Sequence, residues 1–291
     1  MYLLSRYPGV WLEFDVTEDV RNFIDGEYIN YGWLISDVNY QQYFQDAWFF
    51  SKENGNFKPY LKVKEPGTIY VDDDNTEGPW DGTKEHPYRF IQDGLDNCLR
   101  GDTIFVFNGT YHESVIIYQE NINLIGESKK DTIILSKNER WAVLVRTEYY
   151  GIKISGFTIS TDSNNNNGYA GIVLDYNSYD NYVTDNIIVN NTVGILLWGW
   201  ANNNYILNNT IFFYHNIGIA LNQRNFDNIV SNNTIKDVNY GICMEGKSFY
   251  NSICYNDISN TDTGIYLSAI DSYNNISNNL LKNTYENTSM S

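Results

Sequence analysis

Charged, polar and aromatic side chains recur in the second half of this chain at intervals of 23 or 24 residues. An indole ring offers a flat apolar surface on which a sugar ring can lie, and carboxylate, amide and cationic groups can hydrogen-bond to hydroxyls. Brought together, such groups would form a surface that binds a sugar polymer. One series consists of Asp175, Trp198, Asn222 and Glu245, with Arg146 before it, and the other of Asn177, Trp200, Arg224 and Lys247.

The charged members of these series are compatible with two kinds of cleavage. A hydrolase needs two carboxyl groups about 5–9.5 Å apart, and a lyase needs a base together with a cation that steadies a substrate carboxylate. Asp175 and Glu245 are about 14 Å apart if successive repeats stack about 4.8 Å apart, so they do not form a standard hydrolase pair. Glu245 with Arg224 or Lys247 fits a lyase, and a plain surface ion pair between Arg224 and Glu245 is the alternative. The candidate catalytic residues are the four charged members Asp175, Glu245, Arg224 and Lys247. The predicted substrate-binding residues are Trp198, Trp200, Asn222, Arg146 and Asn177.

A glycine-anchored repeat would position these residues. The anchors are Gly171, Gly194, Gly218, Gly241 and Gly264. Isoleucine follows each anchor, and asparagine stands ten and fifteen residues after it. A fixed period of this length indicates a solenoid, in which each unit buries its apolar side by stacking on the next. The asparagines fifteen residues after the anchors are Asn186, Asn209, Asn233, Asn256 and Asn279.

Three short β-branched segments fill each period, with Asn and Gly between them. Alternation of the Ile-x-Leu kind is typical of a strand, and no period has room for a long amphipathic helix. Asn tolerates the left-handed backbone of tight bends, and stacked Asn side chains can hydrogen-bond along the stack. We therefore predict an all-β parallel solenoid with three strands per coil and an asparagine ladder. A leucine-rich repeat shares the period, but its Leu-x-x-Leu-x-Leu framework is absent.

The phrases Gly-Ile-x-Leu and Asn-x-Ile-x-x-Asn-x-Ile resemble those of right-handed parallel β-helices of the pectate-lyase-like superfamily. The likeness covers roughly residues 68–285 and is strongest to the Asn-rich branch that includes NosD-like and sugar-processing surface proteins. It implies a capping strand and helix within residues 66–113, coils over residues 114–291, and a substrate lying across the face that carries the two tryptophans. A copper role, as in NosD-like proteins, has no His, Cys or Met cluster in this sequence to support it.

Residues 1–65 read as a separate module with alternating strand patterns. The Phe-Asp-Val-Thr phrase at residues 14–17 and the Asn-Tyr-Gly phrase at residues 30–32 resemble the carboxy-terminal half of a disaggregatase-related (DNRLRE-type) β-sandwich. The resemblance implies a carbohydrate-binding-like sandwich found on secreted or cell-wall proteins. With only half of that sandwich present, we interpret the chain as a fragment of an extracellular or cell-surface protein.

Composition narrows the choice of partners. The 291 residues include 36 acidic and 19 basic side chains, which gives a net charge of −17. Nucleic acids need a basic surface, so we exclude them as partners. No run approaches 18 consecutive apolar residues, and we predict no membrane span. Three cysteines do not make a disulfide framework, and we interpret Cys98, Cys243 and Cys254 as packing residues.

Metal-binding candidates are few. Ca²⁺ needs several oxygen ligands, which an acidic run near the start of the coils offers, although a polar turn explains the same run. The three histidines share no metal-ligand spacing, so we predict no other metal site and no cofactor. The candidate calcium ligands are Asp72, Asp73, Asp74 and Asp81.

One outward-facing column is unusually apolar. Its members stand two residues after each anchor, where strand alternation directs side chains away from the core. A column of this kind is expected to be covered by a neighbouring domain, another chain or a long ligand. The column consists of Leu144, Val173, Leu196, Ala220, Cys243 and Tyr266.

Three functions remain compatible with these patterns. The first is a secreted or surface protein that binds, and in one version cleaves, a polysaccharide or other glycan. The second is a structural or adhesive module without catalysis, and the third is a maturation factor of the NosD-like kind. A tight acid–base constellation would separate the first from the second, and none is evident in the sequence.

Overall fold

The computed structural model of the chain describes residues 66–136, 140–146, 148–161, 170–212, 216–268 and 272–290, together with Asn22. Apart from Asn22, the predicted half-sandwich at residues 1–65 lies outside the described residues, as does His215. Within the part that is described, no helix has the length and apolar character needed to cross a membrane.

Each regular coil contributes one short parallel strand to each of three faces. The first face consists of β1 (Thr68–Val71), β2 (Thr103–Val106), β5 (Asn123–Gly126), β8 (Lys153–Ser155), β11 (Tyr182–Thr184), β14 (Tyr205–Leu207), β17 (Ile229–Ser231), β19 (Ser252–Cys254) and β21 (Asn275–Ser277). The second face begins with β3 (Gly109–Tyr111), β6 (Thr132–Ser136), β9 (Thr158–Thr161), β12 (Ile187–Val189) and β15 (Thr210–Phe212). The third face begins with β4 (Val115–Ile117), β7 (Trp141–Val145), β10 (Ala170–Leu174), β13 (Val193–Trp198) and β16 (Ile217–Asn222).

In the last coils the second and third faces run together as single long strands. These are β18 (Thr234–Glu245), β20 (Asp257–Leu267) and β22 (Leu280–Met290). All the strand pairings along the coils are parallel and join a strand to its equivalent one coil away. The prediction of an all-β parallel solenoid is confirmed.

The register places equivalent residues directly opposite one another. Ile172 pairs with Ile195, which in turn pairs with Ile219. Because side chains alternate along a strand, a residue and its equivalents one repeat away must all point inward or all outward. The inward residues of the three faces form one continuous apolar core in which most side chains are fully buried. A residue's place in the repeat therefore decides both its burial and its neighbours.

A short helix, α1 (Ile91–Asp96), packs where the coils begin. The spacing of Phe90, Ile91 and Leu95 in the sequence predicts that all three lie on one apolar side of this helix. Ile91 and Leu95 are buried there, whereas Phe90 is 46% exposed, so the prediction is wrong for Phe90. The helix begins after Phe90, and its first backbone N–H groups, those of Ile91 and Gln92, donate to the Glu113 carboxylate at 2.8 and 3.0 Å. Burial raises the pKa of Glu113, although these two hydrogen bonds act in the opposite direction.

The anchor glycines are needed for space. A Cβ at Gly194 would lie 2.5 Å from the carbonyl oxygen of Gly218 and 2.7 Å from Cγ2 of Ile211. The same two kinds of contact recur one coil further on, at Gly218. The third face therefore approaches the next coil and the second face so closely that no side chain fits at the anchor.

Two stacks of asparagine side chains run along the coils. Asn209 donates through Nδ2 to Asn233 Oδ1 at 3.1 Å, and its own Oδ1 accepts from the Nδ2 and the backbone N–H of Asn186. The same pattern links Asn233 to Asn256 and Asn256 to Asn279. A second stack consists of Asn181, Asn204, Asn228, Asn251 and Asn274. These bonds satisfy the polar groups of two corners that the core would otherwise leave unpaired.

Candidate functional site

The chain turns sharply where each third-face strand ends. Six residues after the anchor the backbone is left-handed, with φ of +61° at Trp200, +64° at Arg224 and +71° at Lys247. The corners are joined by backbone hydrogen bonds, from Trp200 N–H to Gln223 O at 3.0 Å and from Arg224 N–H to Gly246 O at 2.9 Å. A left-handed conformation costs about 1 kcal/mol or more for a residue with a large side chain, and it recurs at other corners of the coils, as at Asn208 and Tyr255.

These corners place an aromatic ring and two cations side by side. Trp200, Gln223, Arg224, Gly246 and Lys247 line a shallow pocket of about 380 Å³, which we name the corner site. The Arg224 guanidinium carbon lies 5.2 Å from the centre of the Trp200 ring, a cation–π contact. The pocket therefore offers a flat apolar surface beside groups that donate hydrogen bonds.

Neither cation of the corner site is neutralised by a carboxylate. Among the described residues, Arg224 and Lys247 form no ion pair, and both side chains are exposed. The alternative of an ion pair between Arg224 and Glu245 is wrong, because the guanidinium lies over the indole instead. Arg100, by contrast, pairs with Glu120 at 3.1 Å. The corner site is thus a local positive region on a chain of net charge −17.

Aromatic residues missed by the sequence reasoning extend this surface. The Phe226 ring lies 5.7 Å from the Trp200 ring and 5.7 Å from that of Phe249. On the other side, Tyr176 covers Gly199 so closely that a Cβ there would lie 2.6 Å from the tyrosine ring. Phe226 and Phe249 stand eight residues after their anchors, so reading that position across the repeats would have revealed them.

Trp198 belongs to a different environment. Together with Trp141, it packs against a buried apolar cluster that is separate from the main core and contains Leu144, Val173 and Leu196. These three residues are members of the outward apolar column. They are nearly buried, with Val173 only 7% exposed and Leu196 only 4% exposed. The two tryptophans therefore do not share one site. Trp198 is the last residue of strand β13, whereas Trp200 lies two residues later, at the corner where the backbone turns.

The remaining predicted residues are spread along the column of Trp198. Asn222 lies opposite Trp198 on one side and Glu245 on the other. Its Oδ1 is buried without a hydrogen-bond partner in the described structure. Asp175 follows Leu174, which pairs with Leu197, so Asp175 lies one coil before Trp198. Glu245 lies two coils after Trp198, so three coil spacings separate the two carboxylates. The structure thus brings Arg224 and Lys247 together, and does not bring the two carboxylates together.

Arg146 and Asn177 lie on coils before the corner site. Arg146 directly follows β7, and its backbone N–H donates to Ile117 O at 3.1 Å. Asn177 has the same left-handed corner conformation as Trp200, and its N–H donates to Gly199 O at 3.0 Å. Asn177 therefore continues the line of corner residues one coil toward the amino terminus, whereas Arg146 does not line the corner site.

Replacing Trp198 with alanine is expected to lower the free energy of unfolding by about 1–3 kcal/mol, because its half-buried ring packs on the outer apolar cluster. Trp200 is also half-buried, but it lines the open corner pocket and contacts Phe226 and Arg224 rather than the apolar cluster, so its replacement is expected to cost under about 1 kcal/mol. Denaturant unfolding followed by circular dichroism measures both values. Equal losses in the two variants would contradict this division of roles.

The fold and the corner site together indicate the structural class of this protein. The described coils form a right-handed parallel β-helix of the pectate-lyase-like kind, with an aromatic and cationic surface along one corner. The sequence model of the family described as "Periplasmic copper-binding protein (NosD)" matches residues 95–291, and this chain belongs to that family. No curated protein matches the chain in sequence.

Solved structures share the fold at low sequence identity. A family 28 exopolygalacturonase from Yersinia enterocolitica is 12% identical, with a TM-score of 0.54 over 78% of this chain and 60% of that one. The catalytic unit of a GH87 α-1,3-glucanase from Streptomyces thermodiastaticus is 18% identical, with a TM-score of 0.52 over 73% of this chain and 47% of that one. The chain thus spans about half to three fifths of the length of these two proteins. At this identity the likeness shows the fold alone.

The copper named in the family description does not fit the described residues. Copper sites use His, Cys and Met side chains, and no three metal-binding side chains of the His, Cys, Asp or Glu type lie together in the described ranges. The candidate calcium ligands are not gathered either: Asp73 accepts from Thr110 N–H at 3.0 Å, and Asp72 from Asp74 N–H at 3.1 Å. Asp81 accepts from Thr83, and these hydrogen bonds lower the pKa of Asp81. The acidic run thus forms turn contacts at the start of the coils.

Proposed function

We propose that this protein binds a polysaccharide at the corner site. The observation that supports the proposal is the juxtaposition of Trp200, Arg224 and Lys247 on successive left-handed corners. The Trp200 ring provides an apolar face for a sugar ring, and Gln223 and the two cations provide donors for its oxygens. The repeat is well suited to a polymer, because it offers similar corner positions one coil apart along its axis.

The proposal is for binding rather than cleavage. None of the five residues that line the corner site is a carboxylate. Glycoside hydrolysis uses two carboxyl groups that flank the scissile bond, one as general acid and the other as base or nucleophile. Catalysis by Asp175 and Glu245 stays a prediction, and measuring product formation from a bound polymer would test it.

The family description supports the cellular setting, and the names of two fold neighbours support a polysaccharide as the ligand. The family description names a periplasmic protein, and two solved structures with TM-scores above 0.5 are named as a polygalacturonase and a glucanase. We place the protein in an extracellular or periplasmic setting on this basis, since polysaccharides are found there. The described residues do not provide the donor set that the copper role of the family would need.

Replacing Trp200 with alanine is expected to raise the dissociation constant for a bound polysaccharide about tenfold, which corresponds to about 1.4 kcal/mol. The physical reason is loss of the apolar face at the centre of the corner site. A panel of neutral and acidic polysaccharides titrated by calorimetry measures the effect. Trp200 is the residue to change, since Trp198 packs elsewhere.

Tyr255→Ala is the matched control for this experiment. Tyr255 is also an aromatic residue at a left-handed corner, with φ of +59° and 60% exposure, but it lies at the corner between the first and second faces. Its replacement is expected to leave binding unchanged. The proposal fails if no polysaccharide of the panel binds the wild-type protein, or if Trp200→Ala binds as tightly as the wild type does.

A further inference from the structure

The two cations of the corner site have no charged partner in the described structure. Arg224 and Lys247 are exposed and occupy equivalent positions on adjacent coils. Adjacent coils are about 4.8 Å apart, so the two like charges repel each other. Acidic residues outnumber basic ones by 36 to 19 in the whole chain, so carboxylates to pair with these cations are plentiful. Two neighbouring cations without such a partner form a site that an anion would complete.

Trp200 orients one of these cations. The Arg224 guanidinium carbon lies over its ring, 5.2 Å from the ring centre, which is a cation–π contact. A guanidinium in a cation–π contact can still donate through its N–H groups, whose planar fork matches the two oxygens of a carboxylate. Lys247 adds a second, point-like cation beside that fork. An acidic sugar would thus be held by ring stacking and by ion pairing in the same pocket.

We propose that the corner site selects polysaccharides whose sugars carry carboxylate groups. This inference rests on the proposed function and names the substrate class of the same site. Because both cations are exposed, the attraction is screened by salt, and binding of the acidic polymer weakens as ionic strength rises. Binding of a neutral polymer to the same pocket depends on Trp200 stacking and is insensitive to salt.

The test compares one polymer in two charge states. Polygalacturonate and its fully methyl-esterified form present the same sugar backbone with and without negative charge. Calorimetric titration of the whole chain is expected to give an acid form bound about tenfold more tightly than the ester at low salt, with the advantage lost at high salt. In the double variant Arg224→Gln, Lys247→Gln the two forms are expected to bind equally.

Lys236→Gln is the matched control. Lys236 also lies over an aromatic ring, with Nζ 5.1 Å from the centre of Phe212, but it belongs to the second face. Its replacement is expected to preserve the preference for the acid form. Retention of the preference in the Arg224, Lys247 double variant would overturn the assignment to this pocket.

The outcomes separate this inference from the proposed function. Equal binding of acid and ester by the wild type overturns the inference and leaves polysaccharide binding in place. If neither polymer binds, and no polysaccharide of the wider panel binds, both the inference and the proposed function are overturned. Dextran sulfate bound more tightly than polygalacturonate overturns the choice of carboxylate, because sulfate shares the charge but not the planar two-oxygen geometry that suits Arg224.

Discussion

Replacing Asn209 with aspartate is expected to lower the free energy of unfolding by about 3–5 kcal/mol. The Asn209 side chain is only 1% exposed and sits inside the asparagine stack. Its Nδ2 donates to Val183 O at 2.8 Å and to Asn233 Oδ1 at 3.1 Å. In the variant a carboxylate oxygen faces these two acceptors, so two hydrogen bonds become repulsions and a charge is buried without a partner.

Denaturant unfolding at neutral and at acidic pH measures this effect. Burial and the facing acceptors raise the pKa of the introduced carboxyl above its unfolded value, so the folded variant binds its proton more tightly. The penalty is therefore largest above that folded pKa and shrinks as the pH falls, since the protonated group can donate one hydrogen bond. A penalty that grows on acidification would contradict the proposed cause.

Asn208→Asp is the matched control, one residue away. Asn208 is exposed at a left-handed corner with φ of +57°, a conformation that aspartate also tolerates. We expect a change within about 0.5 kcal/mol. A loss of similar size at both positions would show that the cost comes from added negative charge in general rather than from the stack.

Replacing Gly218 with alanine is expected to cost about 3 kcal/mol, although only one methyl group is added. A Cβ at this position would lie 2.6 Å from the carbonyl oxygen of Gly241 and 2.6 Å from Cγ2 of Ile235. The backbone contact is with the adjacent coil, so relief requires two coils to separate and their ladder to weaken. Thermal and denaturant unfolding both measure the loss.

The control for Gly218→Ala is Gly67→Ala. No heavy atom outside its immediate chain neighbours lies within 4 Å of a Cβ built at Gly67. This substitution is expected to be neutral or slightly stabilising, because alanine reduces the conformational freedom of the unfolded chain. Equal costs at both positions would rule out coil-to-coil crowding as the reason for the repeated glycine.

The architecture was predictable because the length and pattern of a sequence repeat indicate the size and strand content of each coil. The spacing of the anchor glycines indicated coils, and alternation around Ile172 and its equivalents indicated strands with one inward side. In a solenoid each coil contacts mainly the next, so residues one period apart become neighbours whatever the rest of the chain does. The entry helix was harder to predict. Its apolar pattern included Phe90, but the helix begins after that residue, which leaves the ring exposed.

The candidate site was only partly predictable. The sequence placed Trp200, Arg224 and Lys247 in one column, and the structure gathers them around one pocket. It also suggested that Trp198 would act with Trp200, but Trp198 packs on the outer apolar cluster. Periodicity shows which residues are equivalent between coils, and it does not show how far a backbone turn separates two positions within one coil.

The sequence by itself determined the parallel β-helix and the order of residues along each column, because stacking at a fixed period leaves little freedom in register. Only the tertiary structure decided which columns are open and which are covered. A left-handed corner turns Trp200 outward beside Arg224, and the strand position two residues earlier lays Trp198 on buried aliphatic side chains. The physical reason is that exposure depends on backbone angles at the corners and on packing between neighbouring columns, and neither is encoded in the repeat period.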